Sequence, residues 1–514
     1  MSNILSFVVE HWRFCLLHFL EFAIWGSWFV VLGNMLEARG FARKSIARIY
    51  GTIPIGTMLA SLVIGALVDR YFNAEWVLGI SHLVGAALLL AMTRVKSSVG
   101  FFWTALAYAI AFAPTLSLVN VMVFAHNLDI FDNTANEYFP WVRVFGTIGW
   151  IVAGMSHILI LKKDAPVGSQ PLWLASALSA VLGVYAFTLP ATPPNLDAQL
   201  KAANAGEIYQ APEPESVLAT MGELLGNTIE MIADQPVFFV VTLVAAMAMG
   251  LYFAFAALFL EKSGVPSRTV GPVMTLGQWI EIFFMLALPW FLGPDNRNMN
   301  MVLLIGIGAW ALRFGLFAIG RPLPLVLFGI AIHGICFDFF FAAGMSHADA
   351  IAPASLKATA QSVYGFLVYG LGMYLGSEGA GWLNTFMTRQ ASERAPAAAP
   401  DTMDLHKVES VIPPADADDP YRPPAGLHRE DDGAVVTIAE HQTDWRKFWS
   451  IPCAIVSAAV VLFALSIFWG TDDAVDAMPD VDVVGPPVDL DLNTSDLNAS
   501  DSIESDSIEP EPAD

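Results

Sequence analysis

Six charged residues lie inside long apolar segments of this 514-residue chain. The run GICFDFFFAAG, residues 334–344, is the clearest case, because no basic residue stands near Asp338 in the sequence. A charge at the centre of a membrane helix costs about 2.5 to 3.5 kcal/mol on insertion scales, so it normally faces a partner or a cavity inside the bundle. A carboxyl in such surroundings exchanges a proton or pairs with a cation. The residues concerned are Glu21, Arg143, Glu281, Arg313, Asp338 and Glu378.

Helical spacing places polar and aromatic side chains beside two of these charges. In RVFGTIGW, residues Arg143, Thr147 and Trp150 follow at i, i+4 and i+7, so a cation, a hydroxyl and a ring share one stripe. In GQWIE, Gln278 and Glu281 are three residues apart and share a face. The spacing therefore predicts two polar faces that point into a helical bundle.

A third polar face surrounds the opening run. His333 and Phe337 are four residues apart, and Asp338 lies about 100° around the helix from Phe337. Asn120 follows Pro114 in PTLSLVN, where the proline frees a backbone carbonyl within an apolar segment. Aromatic rings such as Trp28, Trp150, Phe253 and Phe337 suit stacking on a planar solute, and amide and hydroxyl groups suit its polar edge.

The segments that carry these residues are long and apolar. The chain is 55% hydrophobic and 14% charged, which is too apolar for a soluble protein of this length. The runs lack the period-two alternation of barrel strands, so they predict an all-α membrane protein. Twelve spans are predicted, at 12–36, 49–69, 76–95, 101–125, 138–161, 171–190, 236–260, 270–292, 300–320, 323–346, 361–386 and 448–470.

The spans divide into two halves around acidic segments. Residues 1–190 are predicted to form an N-terminal six-helix bundle, 191–235 a linker, and 236–470 a C-terminal six-helix bundle. A Pro-rich polar insert at 387–446 separates helices 11 and 12, and 471–514 form a disordered acidic tail with fourteen acidic and no basic residues. The net charge of −23 therefore arises outside the bundle.

Enzyme chemistry finds no support in the motifs of the chain. We find no phosphate-binding glycine loop, no His-Glu-x-x-His pattern and no nucleophile elbow. Cys15, Cys336 and Cys453 show no spacing of a metal site and are interpreted as apolar packing residues. We expect no enzyme activity, no metal and no cofactor apart from a coupling proton.

One loop resembles a motif of the major facilitator superfamily. GALVDR places Gly65, Asp69 and Arg70 after the second span, and LGPDNR repeats the pattern after the eighth. In that superfamily the acid and the base latch helices on the cytoplasmic side, which implies that both termini and the 191–235 linker are cytoplasmic. The Lys/Arg distribution of the short loops favours the opposite orientation, and we follow the motif.

Seven short runs resemble the bacterial nucleoside:proton symporters, the nucleoside permeases of the major facilitator superfamily. They extend the resemblance over residues 12–390 and 447–470. The runs are WGSW (25–28), PTLSLVN (114–120), RVFGTIG (143–149), GQWIE (277–281), AWALRF (309–314), CFDFF (336–340) and ATAQS (358–362).

The resemblance implies a major facilitator fold and a role for several of these residues. It assigns proton coupling to Asp338, Glu281 and Arg143, and it implies alternating access by a monomer in the cytoplasmic (inner) membrane. A gating motif would comprise Gly65, Asp69 and Arg70. The predicted substrate-binding residues are Thr147, Trp150, Gln278, Phe337, His333, Phe253, Trp28 and Asn120.

The chain departs from the family at four positions. Gly250 and Phe253 stand where the family offers amides, His333 stands in place of a tyrosine, and Glu21 stands in place of an amide. We therefore expect symport of nucleosides or a related polar ring-bearing solute, with the lipid bilayer and no nucleic acid as further partners. The alternative is a transport-inactive membrane sensor or scaffold that binds a partner through the acidic tail and the insert.

Overall fold

A computed structural model describes most of the two predicted bundles. The described residues are 8–59, 72–126, 135–194, 231–293, 296–352, 357–394, 427–429, 435–437 and 443–469, with single helical positions at 196, 226 and 229. Those up to Ile467 belong to one compact unit. A second unit begins at Phe468, and the structure describes only its residues Phe468 and Trp469, which are helical.

Every secondary-structure element among the described residues of the N-terminal half is a helix. Residues 52–59 continue the helix that follows the first connection. The helices are α1 (Trp12–Trp28), α2 (Leu32–Ala38), α3 (Arg43–Tyr50), α4 (Ala74–Met92), α5 (Ser98–Phe112), α6 (Thr115–His126), α7 (Ala135–Ile160) and α8 (Gln170–Ala186).

The C-terminal half is helical as well, with two π-helical segments. Its elements are α9 (Pro236–Lys262), α10 (Ser267–Met274), α11 (Leu276–Leu292), α12 (Met299–Ile319), α13 (Leu323–Ala331), α14 (His333–Cys336), π1 (Phe337–Ala342), α15 (Ala343–Ile351), α16 (Lys357–Gly365), π2 (Phe366–Gly372), α17 (Met373–Arg394) and α18 (Trp445–Trp469).

These helices confirm the predicted all-α membrane fold. Among the described residues, eight spans are long and apolar enough to cross a membrane, and a ninth results if the bent pair α13 and α14–α15 forms one span. The remaining predicted spans correspond to the helix at 43–59, to the 17-residue α8 and to α16–π2–α17. The count of twelve stays a prediction.

Small residues bring the helices into close contact. A Cβ on Gly149 of α7 would lie 2.1 Å from the carbonyl oxygen of Phe19 in α1. On Gly376 of α17 it would lie 2.0 Å from the carbonyl oxygen of Met247 in α9. Membrane helices use such positions because backbone contact replaces the hydrophobic drive that lipid removes.

The tenth predicted span is irregular in a way that hydropathy did not indicate. The chain bends by 41° between α13 and α14, at Ile332. The helix then widens into π1, which contains Asp338. A second π segment, π2, interrupts the eleventh span. Such π segments occur frequently at functional sites, since they change the face on which following side chains lie.

The two halves meet at one end of the bundle, which we call the contact end and define by residues 34–43 and 261–268. Asn34 Nδ2 donates to the Ala257 carbonyl at 3.2 Å and to the Glu261 carboxylate. Lys262 Nζ lies 3.4 Å from the Glu37 carboxylate. Arg268 Nε, of α10, donates to the carbonyl of Ile158 in α7 at 2.7 Å. The contact end therefore joins the halves through polar groups.

The polar segments differ in part from the prediction. The eleventh span was expected to end at 386, but α17 continues to Arg394, inside the predicted insert. Within the insert, β1 (Leu427–Arg429) and β2 (Val435–Thr437) pair antiparallel, with Leu427 opposite Thr437. Outside the described residues lie the predicted gating motif (Gly65, Asp69 and Arg70), most of the 191–235 linker, and the 471–514 tail.

Candidate functional site

Glu281 joins the two halves near the middle of the bundle. The hydroxyl of Thr147, in α7 of the N-terminal half, donates to Glu281 Oε1 at 3.3 Å. On the C-terminal side, His333 Nε2 lies 3.9 Å from Glu281 Oε2. The residue is 7% exposed, so these neighbours replace water around the carboxyl. The predicted residues Thr147, Glu281 and His333 are therefore brought together.

Two glycines allow α11 and α14 to approach closely enough for this contact. A Cβ on Gly334 would lie 2.7 Å from the backbone N and Cα of Glu281. A Cβ on Gly277 would lie 2.6 Å from the Cβ of His333. Any side chain at either position would therefore displace one helix from the other. The glycines position Glu281 and His333 relative to each other.

Arg143 contributes the cation of the site. Its guanidinium lies over the ring of Phe22, with Cζ 4.1 Å from the ring centroid, a favourable cation–π arrangement. The guanidinium interacts electrostatically with both Glu281 and Asp338. Its Nη1 is buried and has no hydrogen-bond partner among the described residues. The cation predicted for the two acids is thus present, but a direct ion pair to either acid is not among the described contacts.

Asp338 lies in the first turn of π1 and is 1% exposed. Its Oδ2 is buried without a hydrogen-bond partner among the described residues. It interacts electrostatically with Glu281 as well as with Arg143. Because leaving a buried carboxylate unpaired is costly, the carboxyl is suited to carry a proton when Arg143 does not neutralise it.

Aromatic rings form one wall of the site. The His333 ring stacks on Tyr252 at 5.6 Å between centroids and on Phe337 at 5.9 Å. Phe253 meets His333 edge-on at 6.3 Å, and it also contacts Phe29 of the N-terminal half at 5.5 Å. The predicted shared face of His333 and Phe337 is borne out by this geometry. Phe253 places a ring between the halves.

Four of the predicted site residues each have a buried polar atom without a hydrogen-bond partner among the described residues. Buried polar groups in proteins are nearly always paired, so these atoms are available to a polar solute or a proton. The set contains donors and acceptors and therefore suits a solute that has both. The atoms are Arg143 Nη1, Gln278 Oε1, His333 Nδ1 and Asp338 Oδ2.

Three predicted substrate-binding residues are engaged in packing of the N-terminal half. Trp150 meets Trp25 edge-on at 5.5 Å, and the Trp150 ring fills the space beside Gly26. Trp28 is 2% exposed and packs against Tyr108 at 5.5 Å. Asn120 Oδ1 lies 3.2 Å from His18 Nε2. Their roles toward a solute stay predictions.

Sequence reasoning missed Tyr369 and Phe22. Tyr369, in π2, interacts electrostatically with Arg143, Glu281 and Asp338. Phe22 supports the Arg143 guanidinium, as described above. A lone ring in an apolar span carries no signal of its own. Hydropathy does not indicate the π segment either, although this segment brings Tyr369 to the acids.

Two further charges of the apolar segments have other neighbours. Arg313 is fully buried between the rings of Tyr252 and Trp310, with Cζ at 4.4 and 4.6 Å from their centroids, and its Nε donates to the Gly329 carbonyl at 2.9 Å. Glu378 lies 3.9 Å from Arg48 in α3 and is partly exposed. Within the described part of the chain, no group of three or more His, Cys, Asp or Glu is arranged to hold a metal ion.

Residues 9–395 match the family described as Nucleoside H+ symporter. The chain belongs to this family. The match includes every residue of the site described above and ends before most of the 387–446 insert. Membership makes the protein a proton-coupled transporter rather than an enzyme, and it favours transport over the sensor or scaffold alternative.

Individual relatives support this assignment. The chain is 33% identical over 370 residues to the putative nucleoside transporter YegT of Escherichia coli K12, covering 70% of this chain and 80% of the relative. It is 28% identical over 381 residues to the xanthosine permease of the same organism, covering 71% and 85%. The crystal structure of the nucleoside transporter NupG has a TM-score of 0.66 at 23% identity, covering 88% and 98%, and so shows the shared fold.

Proposed function

We propose that this symporter carries nucleosides together with protons, and that Arg143, Glu281 and Asp338 couple the two movements. The observation that carries the proposal is the hydrogen bond from Thr147 to Glu281, because it connects the carboxyl of one half to the helix of Arg143 in the other. Any rocking of the halves must change the partners of Glu281. A carboxyl whose partners change with conformation also changes its affinity for a proton.

The ring wall supports a nucleoside as the solute. Phe337, His333 and Phe253 offer ring faces and edges to a planar base. The unpaired atoms of Gln278 and Asp338 lie in the same site and suit the hydroxyls of a sugar or the edge of a base. Names of the relatives include nucleoside transport and xanthosine transport, which agrees with this chemistry.

Gly250 supports a binding site that does not use amides from α9 at that position. A Cβ at Gly250 would lie 2.3 Å from the carbonyl oxygen of Met373, so this residue packs α9 against α17. One turn on, Phe253 contributes a ring between the halves. The solute is therefore held on this side by aromatic contact, and its polar groups are bound from α7, α11 and π1.

The coupling cycle follows from the cost of an unpaired buried charge. When Arg143 neutralises one of the acids, that acid holds no proton; when the halves move and Arg143 withdraws, a proton takes its place. An inward proton that crosses 100 mV supplies about 2.3 kcal/mol, roughly a fifty-fold accumulation of solute. We propose that the proton is the coupling ion and that no further cofactor takes part.

The membrane location, the orientation and the monomeric state of the protein belong to the same proposal. The resemblance of the 65–70 loop to the superfamily motif supports a chain in the cytoplasmic membrane with both termini in the cytoplasm. On that orientation, the contact end faces away from the cytoplasm. The site lies between the halves of one chain, which supports a monomer as the transporting unit, in contact with lipid and with no nucleic acid.

Uptake into proteoliposomes tests the proposal. With an imposed inward proton gradient, labelled nucleoside should accumulate, a protonophore should abolish accumulation, and Asp338→Asn should do the same. The matched control is Glu75→Gln, which replaces a buried acid bonded to the Thr192 amide at 2.8 Å, away from the site. Wild-type liposomes that accumulate no nucleoside, or an Asp338→Asn variant that still accumulates it, would contradict the proposal.

A further inference from the structure

A second pair of titratable side chains is buried inside the N-terminal half. Glu21 of α1 and His82 of α4 are 0% and 1% exposed, and His82 Nε2 lies 2.8 Å from Glu21 Oε2. Thr115 of α6 and Ser179 of α8 complete the cluster, with Thr115 Oγ1 at 2.6 Å from Glu21 Oε1 and Ser179 Oγ at 3.2 Å from His82 Nδ1. Four helices of one half therefore meet around this pair.

Counting hydrogens shows that the pair holds a proton. The Ser179 hydroxyl has one hydrogen and donates it to the His82 carbonyl at 2.9 Å, so His82 Nδ1 must donate to Ser179 Oγ. The other ring nitrogen then meets Glu21 at hydrogen-bond distance, which requires one proton between them. Either a carboxylic acid donates to neutral imidazole or an imidazolium donates to carboxylate, and both forms of the pair are net neutral.

The cluster has room for one more proton, which would add a hydrogen bond. Thr115 Oγ1 lies 2.6 Å from Glu21 Oε1 and also 2.6 Å from the Phe112 carbonyl, but it has a single hydrogen. If Thr115 donates to Glu21, the pair is neutral. If it donates to Phe112, Glu21 Oε1 must itself be protonated. The two arrangements differ by one proton, and the protonated one has one more hydrogen bond because Thr115 then accepts from Glu21 and donates to Phe112, so the cluster can bind a proton in place.

His18 offers a route from the pair toward the start of α1. His18 precedes Glu21 by three residues, on the same face of α1, and its ring nitrogens lie 3.2 Å from Asn120 Oδ1 and 3.2 Å from the Phe14 carbonyl. Since an amide can present either its oxygen or its nitrogen, His18 is accommodated with one hydrogen or two. The ring of Phe14 stacks on His126 at 5.8 Å.

This route ends in a surface cleft of about 460 Å³ at the start of α1. His126 and Phe14 line the cleft together with His11, Glu10 and Arg13. Titratable residues are thus found at His11, immediately before α1, and at His18 and Glu21 within it. The spacing of three residues keeps His18 and Glu21 on one face of the helix.

The groups that face the pair also connect it with the proposed coupling residues. His18 from α1 and Tyr108 from α5 interact electrostatically with Glu21, and Arg143 from α7 interacts with His18. Helices α6 and α8 contribute the hydroxyls of Thr115 and Ser179. A proton added at Glu21 or His18 therefore repels Arg143, the cation that also serves Glu281 and Asp338.

We propose that Glu21 and His82 form a second proton-binding site, within the N-terminal half, which exchanges protons with the cleft at the start of α1 through His18. The site rests on the proposed proton symport for its role, because it would act on that cycle through the charge of Arg143. It differs from the first in position: its ligands all belong to one half, and its access route does not pass between the halves.

Infrared spectroscopy tests the site without any transport. In liposomes that hold full-length Glu281→Gln/Asp338→Asn protein, a buried carboxylic acid band should remain and respond to pH. Adding Glu21→Gln should remove it, whereas adding the matched control Glu75→Gln should leave the Glu21 band unchanged. His18→Ala should slow the response of the band to a pH jump. A pH response that Glu21→Gln leaves unaltered overturns the proposal.

Transport measures the contribution of this site to coupling. A proton that this site takes up from the cleft and returns to the cleft changes the charge near Arg143 without crossing the membrane. Glu21→Gln should therefore shift the pH profile of nucleoside uptake while accumulation continues, and an unchanged profile in a folded Glu21→Gln protein overturns the role in transport. If wild-type liposomes accumulate no nucleoside, the symport proposal fails, and the infrared result still decides the proton site.

If Glu21→Gln does not fold, a further variant still tests the site. Ser179→Ala leaves the carboxyl in place but removes the acceptor of His82 Nδ1, so it must change the pH at which the infrared band titrates. An unshifted band would show that Glu21 and His82 do not share a proton, and would overturn the proposal.

Discussion

Gly334→Ala tests whether the close approach of α11 and α14 positions the coupling carboxyl. The added Cβ would lie 2.7 Å from the backbone N and Cα of Glu281 and 2.8 Å from the carbonyl carbon of Ile280. Carbon atoms pack at about 3.5 to 4.0 Å, so the helices must separate by roughly 1 Å. That displacement moves Glu281 relative to both Thr147 and His333.

The expected effect on transport is much larger than the effect on stability. Overpacking of this kind costs about 1 to 3 kcal/mol, and alanine in a helix regains about 1 kcal/mol relative to glycine. The net loss is therefore at most about 2 kcal/mol. The Thr147–Glu281 bond, at 3.3 Å, is already near its limit. Misplacing reacting groups by 1 Å can cost on the order of 100-fold in rate, and we expect a loss of that order in coupled uptake.

The assay pairs uptake in proteoliposomes with thermal unfolding of the purified protein. Gly308→Ala in α12 is the matched control, because an added Cβ there meets no heavy atom within 4 Å. Gly308→Ala should transport as the wild type does and unfold at the same or a higher temperature. If Gly334→Ala accumulates nucleoside as well as Gly308→Ala, the spacing of α11 and α14 does not set the coupling geometry.

Three further predictions concern other parts of the chain. Arg313→Lys should lower the free energy of unfolding by about 3 to 5 kcal/mol, because the buried ammonium loses the contacts with both rings and the hydrogen bond to the Gly329 carbonyl. Arg313→Met should lower the thermal unfolding temperature by less than Arg313→Lys does. Glu37→Gln removes the carboxylate that lies 2.9 Å from Arg43 and 3.4 Å from Lys262. Because Glu37 is partly exposed, the contact end should be destabilised by up to about 1 kcal/mol. Spin labels on α2 and α10 should then lie farther apart, and an unchanged distance would contradict the prediction. Deletion of 471–514 should leave nucleoside uptake unchanged, because every residue of the candidate site precedes this segment, and a loss of uptake would contradict this prediction.

Hydropathy and charge were sufficient for the bundle and for the main members of the site. Apolar runs predicted the spans, and the cost of burying charge singled out Arg143, Glu281 and Asp338, which the structure places within electrostatic reach of one another. Helical spacing predicted that Gln278 lies on the face of Glu281, and both are buried. These inferences succeed because they depend on where polar groups cannot be left alone.

Features that depend on how helices touch were not predictable from one sequence. The spacing argument placed Asp338 as though its helix were regular, but π1 shifts its face and the chain bends at Ile332. Trp28 was predicted to bind substrate only because it is aromatic, and in the structure it packs against Tyr108. The packing role of a glycine such as Gly334 can be inferred only once its neighbour on the adjacent helix is known.

Asp338 and Glu281 differ from Glu21 in how their surroundings respond to motion of the halves. The neighbours of Glu281 come from both halves, so every conformational step alters its partners. Glu21 has hydrogen-bond partners from its own half, and these persist if that half moves as a rigid body. A change of partner is what links proton affinity to conformation, so the first group can drive the cycle. Through His18 and Arg143, a proton on Glu21 acts on the cycle by repulsion across the N-terminal half, which makes Arg143 the point where both sites converge.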